Sequence, residues 1–410
     1  MAKILWRGDA PAVAKVDRVT VAGTWATNDT ATLTCNGKSV TFTVAGTQTV
    51  AAVVAGLVAL WNASTVTEHA EVTAADANPY ITLTADTAGK PFTITTSEVT
   101  AGDGTLSLAN LTASSGPADL AVAANFQGGS LPVDDDELIY EDSNKDCLYN
   151  LDALDDLVTL SVTVWQSYTG KIGLPKISSG GYIEYRPQYL TAGITALDVG
   201  GGEGSGSTRL QFDLMAVVAA SIVRNTGSAQ SAGTYPLLIK NGATGSSLKV
   251  MKGVVGVAVY AGEAAYLDGG LTLGYITNQR GDAKVVCGSG VVLDDVTKIG
   301  GYLLVASNVG DVVNHEGELH TTGNMTADLL RMFGGVAMDQ SSGTFALVEV
   351  HSGAAYDYRR GVTAKTVTTM DLKKGAKYYD PAGLVTATNG LKLTNCAEFQ
   401  TLPDIAWTPA

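Results

Sequence analysis

The spacing of hydrophobic and polar residues changes several times along the chain, and each change marks an element. Ala31-Thr32-Leu33-Thr34-Cys35 and Lys38-Ser39-Val40-Thr41-Phe42-Thr43-Val44 alternate at every second residue, the spacing of a half-buried strand. Asn36-Gly37 lies between them, and both residues tolerate positive φ, so the two runs predict a β-hairpin. The period then lengthens. Val50, Val53, Val54, Leu57, Val58 and Trp61 fall on one helix face, with Thr47 or Thr49 placed to cap its start. Strands resume at 69–73, 80–84 and 91–95, with Asn78-Pro79 and Gly89-Lys90 as turns. Residues 18–115 therefore read as a small α+β domain, one helix against an antiparallel sheet.

Residues 1–17 show no helical period, and Pro11 biases its predecessor toward extended backbone, which predicts an N-terminal arm of the kind that crosses a neighbouring subunit. Glycine, serine and alanine mark 116–131 as a linker. Residues 132–160 form an acidic capping segment. It carries Asp134, Asp135, Asp136, Glu137, Glu141, Asp142, Asp146, Asp152, Asp155 and Asp156, and within it Leu148, Leu151, Leu154 and Leu157 recur every three residues. That spacing predicts a short amphipathic helix covering the first open edge of a sheet.

From 161 to 410 a loose unit recurs, one or two glycines followed by a short strand-like run. Gly290, Gly301, Gly317, Gly335, Gly353 and Gly375 are separated by 11, 16, 18, 18 and 22 residues. Such lengths suit one coil of a parallel β-helix, with a glycine supplying the left-handed corner of each coil. The fold class expected is mainly β: a small α+β N-terminal domain, then a right-handed parallel β-helix (β-solenoid) over 161–410.

Composition agrees with many short strands. Apolar residues make up 45% of the 410 and charged ones 16%, a balance opposite to that of disordered chains, and there are 47 glycines to 11 prolines. A net charge of −14 disfavours phosphate backbones and anionic lipid, so nucleic acid is not expected as a partner. No apolar run approaches the length of a membrane span, and the start, Met1 to Asp9, lacks the apolar stretch of a signal peptide. Cytoplasmic synthesis is expected. Cys35, Cys147, Cys287 and Cys396 lie more than 100 residues apart, as isolated buried thiols would.

Candidate chemistry is sparse. The acidic run could place two carboxylates on a glycosidic bond or hold Ca²⁺, but the spacing of an EF-hand is absent. Gly200–Gly206 is glycine-rich without the Lys-Ser/Thr pair of a phosphate loop, and reads as a loop between coils. Strand alternation puts Glu316, Glu318 and His320 on one face and His315 on the other, a weak metal pattern. Arg7-Gly8-Asp9 spells the tripeptide that integrins read, which means little outside a displayed loop. Two aromatic-basic groups, Tyr182/Tyr185/Arg186/Tyr189 and Tyr356/Tyr358/Arg359/Arg360, suit subunit contact or plain surface before sugar. The candidate interface residues are thus Trp6, Arg7 and Pro11 in the arm and Tyr356, Tyr358, Arg359 and Arg360 in the body. No catalytic, cofactor or metal residues are assigned, and the chain is expected not to be an enzyme. The last residues, Leu402 to Pro409, would seal the final coil or dock on a neighbour.

Three segments carry a resemblance: Trp6-Arg7-Gly8-Asp9-Ala10-Pro11-Ala12-Val13-Ala14, Asn36-Gly37-Lys38-Ser39-Val40-Thr41-Phe42 and Gly56-Leu57-Val58-Ala59-Leu60-Trp61-Asn62. Together they resemble the head of phage and prophage virion proteins in which a similar module precedes a β-helical body. The match covers about the first 100 residues by motif and the rest by repeat style. It implies a capsid-decoration, head-fibre or tail-spike role in the virion. The implied assembly is a homo-oligomer, by analogy a trimer, held to a major capsid or tail protein, with host surface glycan as a further partner. The alternatives are a tail-spike protein that binds or depolymerises glycan, and a bacterial surface adhesin, which the missing signal peptide disfavours.

Overall fold

The computed structural model of the chain describes residues 2–394 except 202–208, 216, 227–234, 244, 258, 261–262, 268–270, 280–282 and 289, and gives backbone alone for the strands between 259 and 279. Most of the Gly200–Gly206 loop, Cys396 and the segment Leu402–Pro409 lie outside the described residues.

The chain is mainly β, with one α-helix among the described residues. Its body consists of two parallel sheets, a wide one of 14 strands and a narrow one of 10. From Leu190 to Ala387 the described strands of the body alternate between the two. Val291–Lys298 of the wide sheet is followed by Tyr302–Val305 of the narrow, Val309–Asn314 by Glu318–Thr321, and Ala327–Met332 by Val336–Asp339. Phe345–Val350 and Ala355–Asp357, then Lys365–Lys373 and Lys377–Tyr379, continue the series. Each such pair is called a rung. A two-stranded hairpin between Val259 and Leu267 interrupts the series, and Val385–Ala387 and Leu391–Thr394 end it together in the wide sheet.

Alternation along each strand sends every second side chain inward, and the parallel register stacks equivalent positions. Val296, Val312, Leu330, Val348 and Met370 form one inward column of the wide sheet. Leu303, Leu319, Ala337, Tyr356 and Tyr378 form the facing column of the narrow sheet. Both belong to one continuous core. No rung could bury its apolar face alone, and the stack makes the core common property.

The glycines behave as the spacing predicts at five of six places. Gly301, Gly317, Gly335, Gly353 and Gly375 all sit at the corner entering the narrow sheet with φ between 70° and 84°. Gly290 stands instead at the other corner, just before Val291–Lys298.

The start of the chain differs from the arm expected for 1–17. Lys3–Leu5 pairs in parallel with Glu137–Tyr140 as the edge strand of the wide sheet. Trp6 is fully buried, donates its indole N–H to the Lys145 carbonyl (3.1 Å) and meets Phe126 edge-on at 5.4 Å and Tyr140 at 5.9 Å. Tyr168 continues this aromatic plug, 5.1 Å from Tyr140. Segment 116–131 is likewise packed rather than loose. Asn125 is fully buried, accepts from the Ala10 N–H and donates to the carbonyls of Gly116 and Asp119. The capping segment contains no helix: residues 151–156 are turns, and Glu137–Tyr140 is a strand of the wide sheet. The leucine spacing marked burial correctly, since Leu151 and Leu154 are in the core, but a period of three suits successive turns as well as it suits a helix.

The α+β module is inserted between the first two strands of the wide sheet. Its sheets are Val72–Ala77, Tyr80–Ala85, Val16–Ala22 and Thr105–Thr112 in one, and Lys38–Thr43, Thr30–Cys35 and Ile94–Val99 in the other. Helix α1, Val50–Asn62, buries Val53, Val54, Leu57 and Trp61, and Thr49 caps it by accepting the Ala52 N–H. Asn36 and Gly37, both at positive φ, make the expected hairpin with Cys35 opposite Lys38.

Candidate functional site

Three polar constellations stand out, and the largest joins module to body. A body loop, residues 176–188, carries Arg186 into the module. Its guanidinium binds Glu184 at 2.8 Å and Glu71 of the module at 2.5 Å, and its Nε donates to the Pro91 carbonyl. Lys90 also pairs with Glu71, and Tyr182 donates to it at 2.6 Å. Burial opposes the charge on Arg186, but Tyr185, Glu184 and Glu71 around it prevail and raise its pKa. Burial raises that of Glu71, while Lys90, Tyr182 and Arg186 more than offset it and hold the carboxyl below its ordinary range. The group Tyr182/Tyr185/Arg186, expected on an outer contact surface, is therefore consumed within the chain. Buried guanidinium needs carboxylate partners, and here Glu71 and Glu184 supply them.

The second constellation lies inside the body. Asp339, on the inward column with Val305 and Thr321, is fully enclosed. Its Oδ1 accepts from the Ser341 N–H (2.8 Å), the Ser341 hydroxyl (2.6 Å) and the Thr321 hydroxyl (2.5 Å). Its Oδ2 accepts from the Tyr356 hydroxyl (2.5 Å) and lies 3.3 Å from the Lys365 ammonium. Lys365 is equally enclosed, donates to Ser341 Oγ at 2.6 Å and rests over the Phe345 ring. Burial pulls its pKa down to about 8, against the pull of Asp339. None of these residues except Tyr356 was singled out from sequence. The legible sign was alternation: Ala337 and Asp339 share one strand face, as do Lys365 and Val367, so each charge stands on an apolar face.

The third is an open cleft of about 650 Å³ beside the start of the chain, lined by Arg7, Asp9, Asp142, Ser143, Asn144, Lys145, Ser167 and Thr169. Arg7 donates to Gln127. Gly8 is buried with φ +66°, and a Cβ there would lie 2.5 Å from Lys145 Cβ, so the Arg7-Gly8-Asp9 tripeptide is folded against the body rather than displayed on a loop.

Of the other candidates, Trp6, Tyr356 and Tyr358 are corrected from interface to core. Each is at most 1% exposed and belongs to the body core, and the Tyr358 hydroxyl serves the Ser341 and Thr363 carbonyls. Pro11 is exposed. Arg359 grips Asp357 with two nitrogens and covers Tyr379, and with Met338 and Arg360 it encloses a cavity of about 270 Å³. In the acidic run the carboxylates tie backbone of neighbouring segments together. Asp134 accepts from the Val158 and Thr159 N–H groups, Asp136 from Ala2, and Asp146 from Lys171. His320 pairs with Glu318 at 3.1 Å and lies against the Tyr302 ring at 4.6 Å, while Glu316 offers its carbonyl to Lys298. Among the described residues no group of three His, Cys, Asp or Glu side chains could hold a metal ion. Cys35, Cys147 and Cys287 are buried free thiols.

The sequence matches no protein-family model and no curated protein.

Proposed function

We propose that this chain is a structural component of a virus particle. In this reading its body is a right-handed parallel β-helix that works as a rigid, oligomeric scaffold, and its α+β module attaches it. The observation that carries the reading is the alternation of short parallel strands between two sheets over one continuous core. That arrangement fits a rod whose length is set by the number of coils. Right-handedness follows the near-universal preference of parallel crossover connections. The buried Arg186–Glu71–Glu184 joint supports a fixed rather than swinging attachment. The partners proposed are further copies of the chain, as a trimer, and a major capsid or tail protein.

Light scattering of the purified chain, before and after mild heating in detergent, tests the assembly. A detergent-resistant trimer is the expected result. A monomer that also fails to bind purified capsid or tail protein would overturn the proposal. The second reading, a tail-spike protein that binds or cuts host glycan, draws on the cleft where Asp9 and Asp142 share a wall with hydroxyl and amide groups. Release of new reducing ends from host polysaccharide, lost in Asp142→Asn, would favour it.

A further inference from the structure

The enclosed Asp339–Lys365 pair carries more polar apparatus than an ion pair requires. Asp339 Oδ1 faces three donors, the Ser341 N–H, the Ser341 hydroxyl and the Thr321 hydroxyl, all within 2.8 Å. Donors converging on one carbonyl-type oxygen are the arrangement that stabilises a tetrahedral oxyanion. The other oxygen, Oδ2, meets the Tyr356 hydroxyl at 2.5 Å and the Lys365 amine nitrogen at 3.3 Å. Ser341 Oγ lies 2.6 Å from both Lys365 Nζ and Asp339 Oδ1, so one hydroxyl links the nitrogen to the carboxyl group. The Phe345 ring closes the lysine side, and neither charged side chain is exposed to solvent.

We propose that Lys365 and Asp339 condense inside the folded body, joining their side chains through an isopeptide bond. The Nζ lone pair attacks Asp339 Cγ and forms the C–N bond. Charge collects on Oδ1 among its three donors. The bond from Cγ to Oδ2 then breaks, and Oδ2 leaves as water. The ammonium gives up one proton before the attack and a second after it, and both reach Oδ2, 3.3 Å from Nζ, which leaves as water with the Tyr356 hydroxyl donating to it. Carboxylate and ammonium thus become amide and water, with no change of oxidation state and no outside reagent. Two features of the site favour the step. Burial brings Lys365 to about 8, so a substantial part of it is neutral amine near that pH. Fixing the reactants side by side replaces a bimolecular encounter, worth effective molarities of about 10⁵ M or more in well-oriented cases, and the amide removes two charges from a site where charge is costly to hold.

The whole chain, purified and then denatured, is weighed by mass spectrometry and mapped after digestion. The expected chain is lighter than its sequence by one water, about 18 Da, and yields a branched peptide joining the segments around Asp339 and Lys365. Lys365→Met returns the full mass. Asp339→Asn keeps the shape of the site but makes ammonia the leaving group, so that chain is expected to lose about 17 Da by the same attack. A wild-type chain at full mass, with Lys365 open to an amine reagent once denatured, overturns the proposal whatever the variants do. A water lost elsewhere, as at Asp103-Gly104, leaves the two segments unbranched and overturns it equally.

Discussion

A glycine at a corner of the stack can be required for its backbone conformation, for the space it leaves, or for both, and Gly353 and Gly335 separate these demands. Gly353 has φ +84° with nothing within 4 Å of where a Cβ would stand, so Gly353→Ala meets conformational strain alone, about 1–2 kcal/mol. Gly335, at φ +71°, would in addition place a Cβ 2.2 Å from the Gly317 carbonyl oxygen of the preceding rung. Urea titration is expected to rank Gly335→Ala as clearly the more destabilising, because the backbone itself must shift. Equal costs would mean that the rungs are not stacked in this register. Lys298 makes a pH-dependent contribution of a different kind. It is fully buried, donates to the Glu316 carbonyl, and burial lowers its pKa from 10.5 to about 8. Between those values the unfolded chain holds a proton that the folded chain has released, so stability from this residue rises with pH from about 8 to 10.5. The buried thiols Cys147 and Cys287, pushed up to about 12, act in the opposite sense above 9. The difference between wild type and Lys298→Met cancels them and is expected to isolate the lysine's upward slope.

Elements stabilised by local chemistry were the ones legible from the sequence. Helix α1 announces itself because its apolar period, its cap and its length agree, and Thr49→Ala is expected to cost about 1 kcal/mol by leaving the Ala52 N–H without its side-chain acceptor. Chemical denaturation followed at Trp61, on the buried face of that helix, checks it. The Asn36-Gly37 hairpin is legible for the same reason, two residues suited to one turn. The glycine corners were readable because positive φ restricts residue type wherever it recurs. What escaped were placements settled by distant partners. Strands Val16–Ala22 and Thr105–Thr112 alternate less cleanly, and their pairing spans about ninety residues. Trp6 looks like an exposed anchor on an arm until Phe126 and Tyr140 close over it. Arg186 looks like a surface cation until Glu71, more than a hundred residues earlier, arrives beside it. Asp339 and Lys365 were hidden because they stand on different strands, although each stood on an apolar strand face. Local pattern reveals which face a residue takes, and only the fold reveals what waits there.

At the scale of the whole molecule, the module and the body have separate apolar cores. One lies in the module around Val19, Leu33, Leu57 and Trp61, the other runs through the body from Trp6 to Tyr378. Units with separate cores unfold separately unless the joint between them is strong. Here the joint is ionic and largely buried, so removing one partner leaves charges stranded. Arg186→Ala strips Glu71 and Glu184 of their guanidinium, at a cost of about 3–5 kcal/mol for a buried pair broken from one side. That cost falls on the module and the loop it grips, not on the rungs beyond. Calorimetry of Arg186→Ala is therefore expected to show the module melting earlier and the body unchanged. Acid should act through the same joint. Because its partners hold Glu71 below its ordinary 4.5 despite burial, its stabilisation is present above pH 4.5 and drains away as pH falls through the lowered value. The wild-type module transition should drop in that acid range, and Arg186→Ala should flatten the drop. A variant that melts with an unshifted module, or as steeply in acid as the wild type, would show that the two units are held together by something other than this joint.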